Sequence, residues 1–308
     1  MARLGRYLLE ERLGTGAFAT VWRGYDPELD STVAIKVLAE NWAADAGVCE
    51  RFLAEARLLR RIANPAVVRV HDVGTAYGED GFARPYFVMD LVEGGTVESR
   101  IGTLAPSDAL VLAAEAAEAV QVLHDEGVVH RDVKPSNLLV DTTGEAPRVL
   151  VADLGSAKQQ AELSMLTMVT GSPAYMAPEQ ASNLEGFDAR ADVYAMGAVT
   201  YQLLSGRLPY DVDSPTAARQ RPDLPPPPIG AELGLRGQVD DVLARALAVR
   251  PADRFATCAD LAAALRELAA GRSVALPRRR AADWPFVPVA LAALVLFVLS
   301  GALAWLLG

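Results

Sequence analysis

The residues with the clearest chemical potential lie in the stretch VVHRDVKPSNLLV, residues 128–140. It sets the carboxylate of Asp132 between two basic side chains and places Asn137 just before an apolar run. That run, NLLV, and the later run RVLVADLG are typical of strands, and the turn-rich DTTGEAP between them predicts an antiparallel hairpin. Such a hairpin brings Asn137 beside Asp153. Two converging oxygen ligands suit Mg²⁺, which fills its remaining positions with water and substrate phosphates.

Asp132 lies on the loop that leads into this hairpin. At that position its carboxylate could accept a proton from a hydroxyl group that attacks a phosphate. Lys134 could then stabilise the charge on the transferred group. Together with the metal ligands, these side chains predict phosphoryl transfer.

A phosphate could also approach the glycines of ERLGTGAFATVW. Gly14 and Gly16 follow one β-type run and precede another, so we expect them in a hairpin. Because glycine has no side chain, a phosphate could approach the backbone of this hairpin closely. An ordinary tight turn would have the same sequence pattern. The glycines alone therefore leave both interpretations open.

Lys36 is a further candidate for a functional residue, because it is a charged side chain at the end of the otherwise apolar run VAIK. In the helical stretch GVCERFLAEARLLRRIA, a turn of about 100° per residue places Glu55 on the same face as Phe52 and Leu59. A carboxylate within a buried apolar stripe requires a cation. Lys36 is one candidate for that cation, and Arg51, one turn before Glu55, is the other.

The predicted secondary structure that positions these side chains is mainly β-strand in the first part of the chain and mainly helix in the second. Up to about residue 92, β-type runs such as TVAIKVL and PYFVMDLV surround one helical stretch, which predicts a small antiparallel sheet with one helix. From near Thr96 onward, Ala/Leu-rich helical segments dominate. The stretch RQRPDLPPPPIG resembles a docking site for proline-binding domains, but helical signals on both sides favour a rigid loop. We therefore expect an α+β fold.

Composition and charge exclude several classes of protein. A formal charge of −10 and a pI near 4.9 argue against nucleic-acid binding, because phosphate-backbone affinity needs a positive field. Cys49 and Cys258 lack metal-ligand spacing, so neither a disulfide framework nor a zinc site is expected. We interpret the three scattered histidines as structural.

The C-terminal residues 284–308 contain no charged side chain. As a helix they would extend about 36 Å, which is enough to cross the core of a bilayer. Trp284 and Trp305 would lie near the two interfaces, and the arginines at 278–280 would keep the preceding residues in the cytoplasm. We expect a single-pass transmembrane helix at 284–307 in the cell membrane, with a buried helix of the globular part as the alternative.

Taken in order, several pieces of the sequence resemble the signature set of eukaryotic-type (Hanks-type) serine/threonine protein kinases, of the membrane-anchored bacterial kind. The pieces are GTGAFATV, VAIK, HRDVKPSN, DLG, GSPAYMAPE, DVYAMG and DRF. The resemblance covers residues 5–270. It implies the bilobal protein kinase fold, with a small β-rich N-lobe at 1–92 and a larger helical C-lobe at 93–270. A basic juxtamembrane linker at 271–283 would then lead to the transmembrane helix.

The resemblance implies transfer of the ATP γ-phosphate to serine and threonine hydroxyls of proteins, with Mg²⁺ or Mn²⁺ as the metal. Asp132 would be the catalytic base, Lys134 would act on the transferred group, and Lys36 would hold the phosphates and pair with Glu55. The metal ligands would be Asn137 and Asp153. Roles in nucleotide binding would fall on Leu13, Gly14, Gly16, Val21, Ala34, Lys36, Met89, Asp90, Val92, Asn137, Leu139 and Asp153.

The resemblance also implies regulation through the activation segment. Arg131 would bind a phosphate there, which would leave Asp132 oriented by its neighbours rather than neutralised, with Lys134 turned towards the substrate phosphate. The first expected phosphosite is Thr167, followed by Thr170 or Ser164. In the tail, the small residues of SGALA at 300–304 would allow helix pairing and a homodimer.

Two structural contacts and two departures complete the comparison. Glu179 would pair with Arg254, and Asp192 would brace the catalytic loop. Ala19 replaces the third glycine of the phosphate loop, which matters only where the backbone needs a positive φ. Leu154 stands where phenylalanine is commoner, so we expect looser packing there. Every side chain with a chemical role is present, which favours an active protein kinase. The alternative functions are a nucleotide-binding pseudokinase scaffold and a small-molecule kinase of the same fold.

Overall fold

Six antiparallel strands form a sheet in the N-terminal part of the chain, in the order β1-β2-β3-β4-β6-β5. The structure is a computed structural model and describes residues 2–77, 83–154, 173–182, 188–235 and 238–276. The predicted antiparallel sheet is confirmed. Its strands are β1 (Ala2–Leu4), β2 (Tyr7–Thr15), β3 (Ala19–Asp26), β4 (Ser31–Leu38), β5 (Val70–Tyr77) and β6 (Ala83–Met89).

One face of this sheet is covered by the helix α1 (Ala46–Arg61). Its buried side chains include Phe52, Glu55 and Leu59, which share one stripe as the helical spacing predicts. The Phe52 ring packs on Phe87 of β6 with centroids 5.0 Å apart. The predicted helix is confirmed, and Glu55 is a carboxylate buried within its apolar stripe.

The other face of the sheet has a small hydrophobic core of its own. Leu4 on β1 and Tyr7 on β2 contribute to this core. The half-buried Trp22 of β3 packs against the same core. Its buried members are Leu4, Tyr7, Val33, Ile35, Tyr86 and Val88.

The rest of the described chain is mainly helical, as predicted. The alanine-rich α2 and α4 are buried on most sides, and their small side chains let α2 pack closely against both α4 and α7. Residues up to Val274 belong to one compact unit. The helices are α2 (Pro106–Asp125), α3 (Pro178–Ala181), α4 (Arg190–Ser205), α5 (Pro215–Arg219), α6 (Gln238–Ala246) and α7 (Cys258–Ala269).

The predicted hairpin between the loop of Asp132 and the segment of Asp153 is also confirmed. It consists of β7 (Leu138–Asp141) and β8 (Arg148–Val151), which pair in antiparallel register. Leu138 faces Val151 across the ladder, so the residues before β7 and after β8 meet at one end.

Two backbone hydrogen bonds join this hairpin to the chain that follows α1. The Val68 N–H donates to the Val151 carbonyl at 3.0 Å, and the Val151 N–H donates to the Ala66 carbonyl at 2.8 Å. These bonds hold the start of the segment after β8 close to the sheet. Asp153 is thereby brought within reach of Lys36 on β4.

The proline-rich stretch lies between α5 and α6, with no helix or strand at residues 220–230. Arg221 anchors it from inside: this side chain is buried, lies 3.9 Å over the Tyr210 ring, and donates to the Leu247 carbonyl at 2.7 Å. The interpretation as a loop between helices is confirmed, and its rigidity stays a prediction.

Within the part of the chain that the structure describes, no helix combines the length and the apolar character needed to cross a membrane. Residues 284–307 lie outside the described residues. The transmembrane helix therefore stays a prediction.

Candidate active site

Lys36 is held by carboxylates from two other parts of the chain. Its Nζ lies 2.8 Å from Glu55 Oε1 on α1 and 2.5 Å from Asp153 Oδ1 after β8. Lys36 and Glu55 are 8% and 3% exposed, so each charge depends on its partners for compensation. Of the two cations considered for Glu55, Lys36 makes the contact, and that prediction is confirmed.

The charge state of Lys36 follows from this environment. Burial by itself lowers the pKa of the ammonium, but the negative charges of Asp153 and Glu55 outweigh it and raise that pKa above its ordinary value. Lys36 therefore stays cationic at neutral pH. A fixed cation beside an aspartate is suited to hold phosphate oxygens and their counter-ion.

Asp192, in the first turn of α4, braces the backbone before Asp132. Its Oδ2 accepts a hydrogen bond from the His130 N–H at 2.8 Å, and its Oδ1 accepts one from the Arg131 N–H at 2.9 Å. Arg131 has a φ of +72°, a left-handed conformation that costs a residue other than glycine about 1–3 kcal/mol. The two bonds to Asp192 offset that cost and set the direction in which Asp132 leaves the loop, so the predicted bracing contact is confirmed.

The Asp132 carboxylate is oriented by two neighbours. Asn137 Nδ2 donates to the Asp132 carbonyl at 2.8 Å and to its Oδ2 at 3.1 Å. The ammonium of Lys134 lies 3.1 Å from the same Oδ2. Asp132 is thus fixed in place on the loop rather than turning freely in solvent.

Lys134, which is expected to turn towards a substrate phosphate, contacts Asp132 in this structure. Lys134 and Asp132 are two positions apart in the chain, and both side chains are largely buried, with 15% and 16% exposed. At this separation their Coulomb attraction is strong, because little water screens it. In this structure Lys134 is the counter-ion of the candidate base, and a substrate phosphate would compete with Asp132 for it.

Asn137 and Asp153 meet at the same end of the β7–β8 hairpin. The Ala152 N–H donates to the Asn137 carbonyl at 2.9 Å, and Asp153 follows with a φ of +56°. Because Asn137 Nδ2 points to Asp132, its Oδ1, the atom that can bind a cation, faces another direction. One carboxylate and one amide oxygen fit Mg²⁺, whose other positions water and phosphates fill.

The candidate phosphate loop, residues 14–19, forms the turn between β2 and β3. Gly14 pairs with Val21, and the Gly16 N–H donates to the Ala19 carbonyl at 2.8 Å. A Cβ on Gly14 would meet no atom within 4 Å, so its backbone is open to a ligand. The other residues predicted to bind nucleotide lie on β2 (Leu13), β3 (Val21), β4 (Ala34), β6 (Met89) and β7 (Leu139), and after β6 (Asp90 and Val92).

The segment after β6 starts with Asp90, and its side chain faces β5. Asp90 Oδ1 lies 2.6 Å from His71 Nε2, and its Oδ2 accepts a hydrogen bond from the Arg69 N–H at 3.3 Å. The Asp90 N–H in turn donates to the Arg69 carbonyl at 3.1 Å. A contact from Asp90 to an adenine edge would therefore use its backbone carbonyl.

The two departures from the family pattern are accommodated by the fold. Ala19 is not among the described residues with positive φ, so its methyl group adds no backbone strain. Leu154 is 2% exposed, so the smaller side chain still lies in a closed environment.

The Arg254 guanidinium is buried and bonded through all five of its N–H groups. It forms two bonds to Glu179, with Nη1 2.6 Å from Oε1 and Nη2 2.8 Å from Oε2. Its remaining donors reach the carbonyls of Ala248, Arg190 and Val249 at 2.8, 2.8 and 3.0 Å. The predicted pair is confirmed, and it joins α3 to the chain between α6 and α7.

The sequence did not indicate two contacts that support the loop of Asp132. Gln180 Nε2 donates to the Arg131 carbonyl at 2.9 Å, across 49 positions. His124 Nε2 lies 2.8 Å from Asp192 Oδ2, across 68 positions. The interpretation of the histidines as structural anticipated the role of His124 but not its partner, because no local pattern indicates a contact at such a separation.

The candidate phosphosites Thr167, Thr170 and Ser164 lie outside the described residues. Arg131, the residue expected to bind their phosphates, lies on the loop that Asp192 braces. The activation-segment prediction therefore stays a prediction.

The family of the chain follows from its sequence match. The protein kinase domain family matches residues 7–258, which include Lys36, Glu55, Asp132, Asn137 and Asp153. The chain belongs to the protein kinase family. This kinase is a serine/threonine protein kinase, with a β-rich N-lobe and a helical C-lobe.

Named relatives and solved structures agree with that family. The kinase is 36% identical over 282 residues to serine/threonine-protein kinase PknL of Mycobacterium tuberculosis. The aligned region covers 89% of this chain and 68% of PknL. It is 36% identical over 274 residues to PknA of the same species, covering 87% of this chain and 62% of PknA. The crystal structure of the Mycobacterium tuberculosis PknI kinase domain has a TM-score of 0.64 at 29% identity, covering 87% of this chain and 98% of that one.

Proposed function

We propose that this kinase uses ATP and Mg²⁺ to phosphorylate serine and threonine hydroxyls, beginning with its own activation segment, while its C-terminal residues tether it to the cell membrane. The observation that carries the proposal is the contact of Lys36 with both Glu55 and Asp153. It joins the sheet, α1 and the segment after β8 at one point.

The nucleotide would lie between the phosphate loop and the β7–β8 hairpin. Lys36 would hold the α- and β-phosphates, with Glu55 keeping the ammonium in place. Met89 is 5% exposed and pairs with Ala34 across β6 and β4, so these two side chains would close the adenine pocket from behind. The exposed Leu13 and half-buried Leu139 offer apolar surface for the two faces of the base.

The metal would bind Asn137 Oδ1 and the Asp153 carboxylate. When bound, Mg²⁺ would neutralise part of the charge on the phosphates. Asp153 is 30% exposed at its side chain, so a cation can reach it while one oxygen remains on Lys36.

Asp132 would accept the proton of the substrate hydroxyl. Its orientation comes from Asn137 and from the loop that Asp192 braces. Lys134, which lies on Asp132 in this structure, would move to the transferred phosphoryl group as its charge develops. That exchange of partners would leave the Asp132 carboxylate able to take the proton.

The proposed organisation of the chain follows the same reasoning. Residues 1–92 would form the N-lobe and 93–270 the C-lobe, with a basic linker at 271–283. These boundaries are supported by the end of β6 at Met89 and by the end of α7 at Ala269.

The test of transfer is incubation of the phosphatase-treated full-length protein with Mg-ATP, followed by intact mass and phosphopeptide mapping. We expect the mass to rise in steps of one phosphoryl group, with Thr167 modified first and then Thr170 or Ser164. Substituting all three by alanine should remove most of the gain. Phosphorylation confined to sites outside residues 160–172 would contradict the activation-segment assignment. Binding of ATP without any increase in mass would favour a pseudokinase scaffold.

Membrane tethering rests on the uncharged residues 284–307 and the arginines at 278–280. We expect the full-length protein to stay with membranes through an alkaline carbonate wash. Such a wash removes proteins that are held at the membrane surface by electrostatic attraction, but a membrane-spanning helix resists it. A variant that ends at residue 283 should appear in the supernatant. Release of the full-length protein by carbonate would contradict the tether.

A further inference from the structure

The tip of the phosphate loop is bonded to the segment that joins β4 to α1. Phe18 is 7% exposed although it lies in the hairpin turn, because its ring stacks on Trp42 with centroids 4.8 Å apart and planes at 22°. The Trp42 Nε1–H donates to the Ala17 carbonyl at 2.9 Å. The Ala39 N–H donates to the Phe18 carbonyl at 2.8 Å. The turn is therefore held by ring contact and by hydrogen bonds.

Trp42 is also bonded to the start of the helix that carries Glu55. It ends the short 3-10 helix Glu40–Trp42, and its carbonyl accepts a hydrogen bond from the Asp45 N–H at 3.0 Å. Asp45 caps α1, since its side chain accepts a hydrogen bond from the Val48 N–H at 3.0 Å. One residue thus connects the loop tip with α1.

We propose that Trp42 is a positioning residue that holds the phosphate loop in the conformation that covers the phosphates of ATP. The inference rests on the proposed function. A turn built from small residues samples many backbone conformations, and closing it over a ligand costs the entropy of the others. The Trp42 contacts remove part of that cost before the nucleotide arrives, so the loop is preorganised.

The indole N–H distinguishes positioning from simple apolar packing. Any large apolar side chain at position 42 would cover Phe18, but only a donor at this place fixes the direction of the Ala17 carbonyl. Trp42→Phe keeps a ring for the stack and removes the donor. Trp42→Ala removes both contacts, so the two variants separate the hydrogen bond from the stack.

The test compares Mg-ATP with adenosine, which has no phosphates for the loop to cover. We expect calorimetric Kd values of the full-length protein for Mg-ATP to rise about fivefold in Trp42→Phe and about 10- to 50-fold in Trp42→Ala, the hydrogen bond and the ring pair each contributing. The Kd for adenosine should change less than about twofold in both, because adenosine reaches only the base and ribose pockets.

Trp22→Phe is the matched control, since Trp22 lies in the same sheet but packs against the core on the other face. It should leave both Kd values unchanged. Equal losses for Mg-ATP and adenosine in the Trp42 variants, or no loss for Mg-ATP, would overturn the inference. Failure of the parent protein to bind Mg-ATP would instead overturn the proposed function. Thermal unfolding of each variant shows which are folded, and Trp42→Phe decides the outcome if Trp42→Ala is not.

Discussion

Asp132→Asn is expected to lower kcat for phosphoryl transfer by about 10²–10⁴-fold, the usual contribution of a general base. The amide has nearly the shape of the carboxylate and can still accept the hydrogen bond from Asn137 Nδ2. It cannot take up the substrate proton, and it no longer attracts Lys134 as an ion. The change therefore acts on the chemical step and leaves the fold in place.

The measurement is kcat for phosphorylation of a protein acceptor at saturating Mg-ATP, together with the Kd for Mg-ATP. We expect that Kd to change less than about threefold, because Asp132 serves the acceptor hydroxyl rather than the nucleotide. Asp125→Asn is the matched control, since Asp125 is exposed at the end of α2 and bonds to Gln121 at 2.8 Å. A kcat for Asp132→Asn within about twofold of the parent would exclude Asp132 as the base.

Arg254→Ala is expected to lower the free energy of unfolding by about 3–5 kcal/mol, because it leaves Glu179 as a largely buried carboxylate without its partner. The Arg254 side chain is 0% exposed and that of Glu179 12% exposed. Three backbone carbonyls would lose their donor at the same time. Arg254→Lys should also be destabilising, since an ammonium has three donors and cannot form the paired bonds to Glu179.

Urea unfolding of the variants provides the measurement, with the midpoint and the slope both recorded. Glu179→Gln keeps the shape of the site and removes one charge, so it should fall between the parent and Arg254→Ala. Arg250→Ala is the control, because Arg250 is 64% exposed and its contact with Asp253 is a surface pair that contributes little. A loss below about 1 kcal/mol in Arg254→Ala would contradict this account of the pair.

The Lys36–Glu55 pair shows how far local patterns predict this site. The helical period placed Glu55 in an apolar stripe, and the cost of burying a charge required a cation close by. Both arguments use properties of a short segment. They left Arg51 and Lys36 as candidates, and the packing of α1 on the sheet decided between them.

The loop of Asp132 shows where local patterns are insufficient. The antiparallel hairpin that brings Asn137 beside the segment of Asp153 followed from two strands and a turn. The direction of Lys134 towards a substrate phosphate stays a prediction, and its contact with Asp132 did not follow from local patterns, because side-chain direction depends on the nearest opposite charge in space.

The sequence by itself determined the sheet with its single helix, the helical second part, the β7–β8 hairpin and the residue types that phosphoryl transfer needs. It could do so because hydrophobic periodicity, turn residues and the cost of buried charge act over a few neighbouring residues. Only the tertiary structure decided that Asp192 braces the loop, that Gln180 reaches Arg131, and that Trp42 holds the turn at Phe18. These contacts join residues distant in the chain, and their directions depend on how whole elements pack against one another.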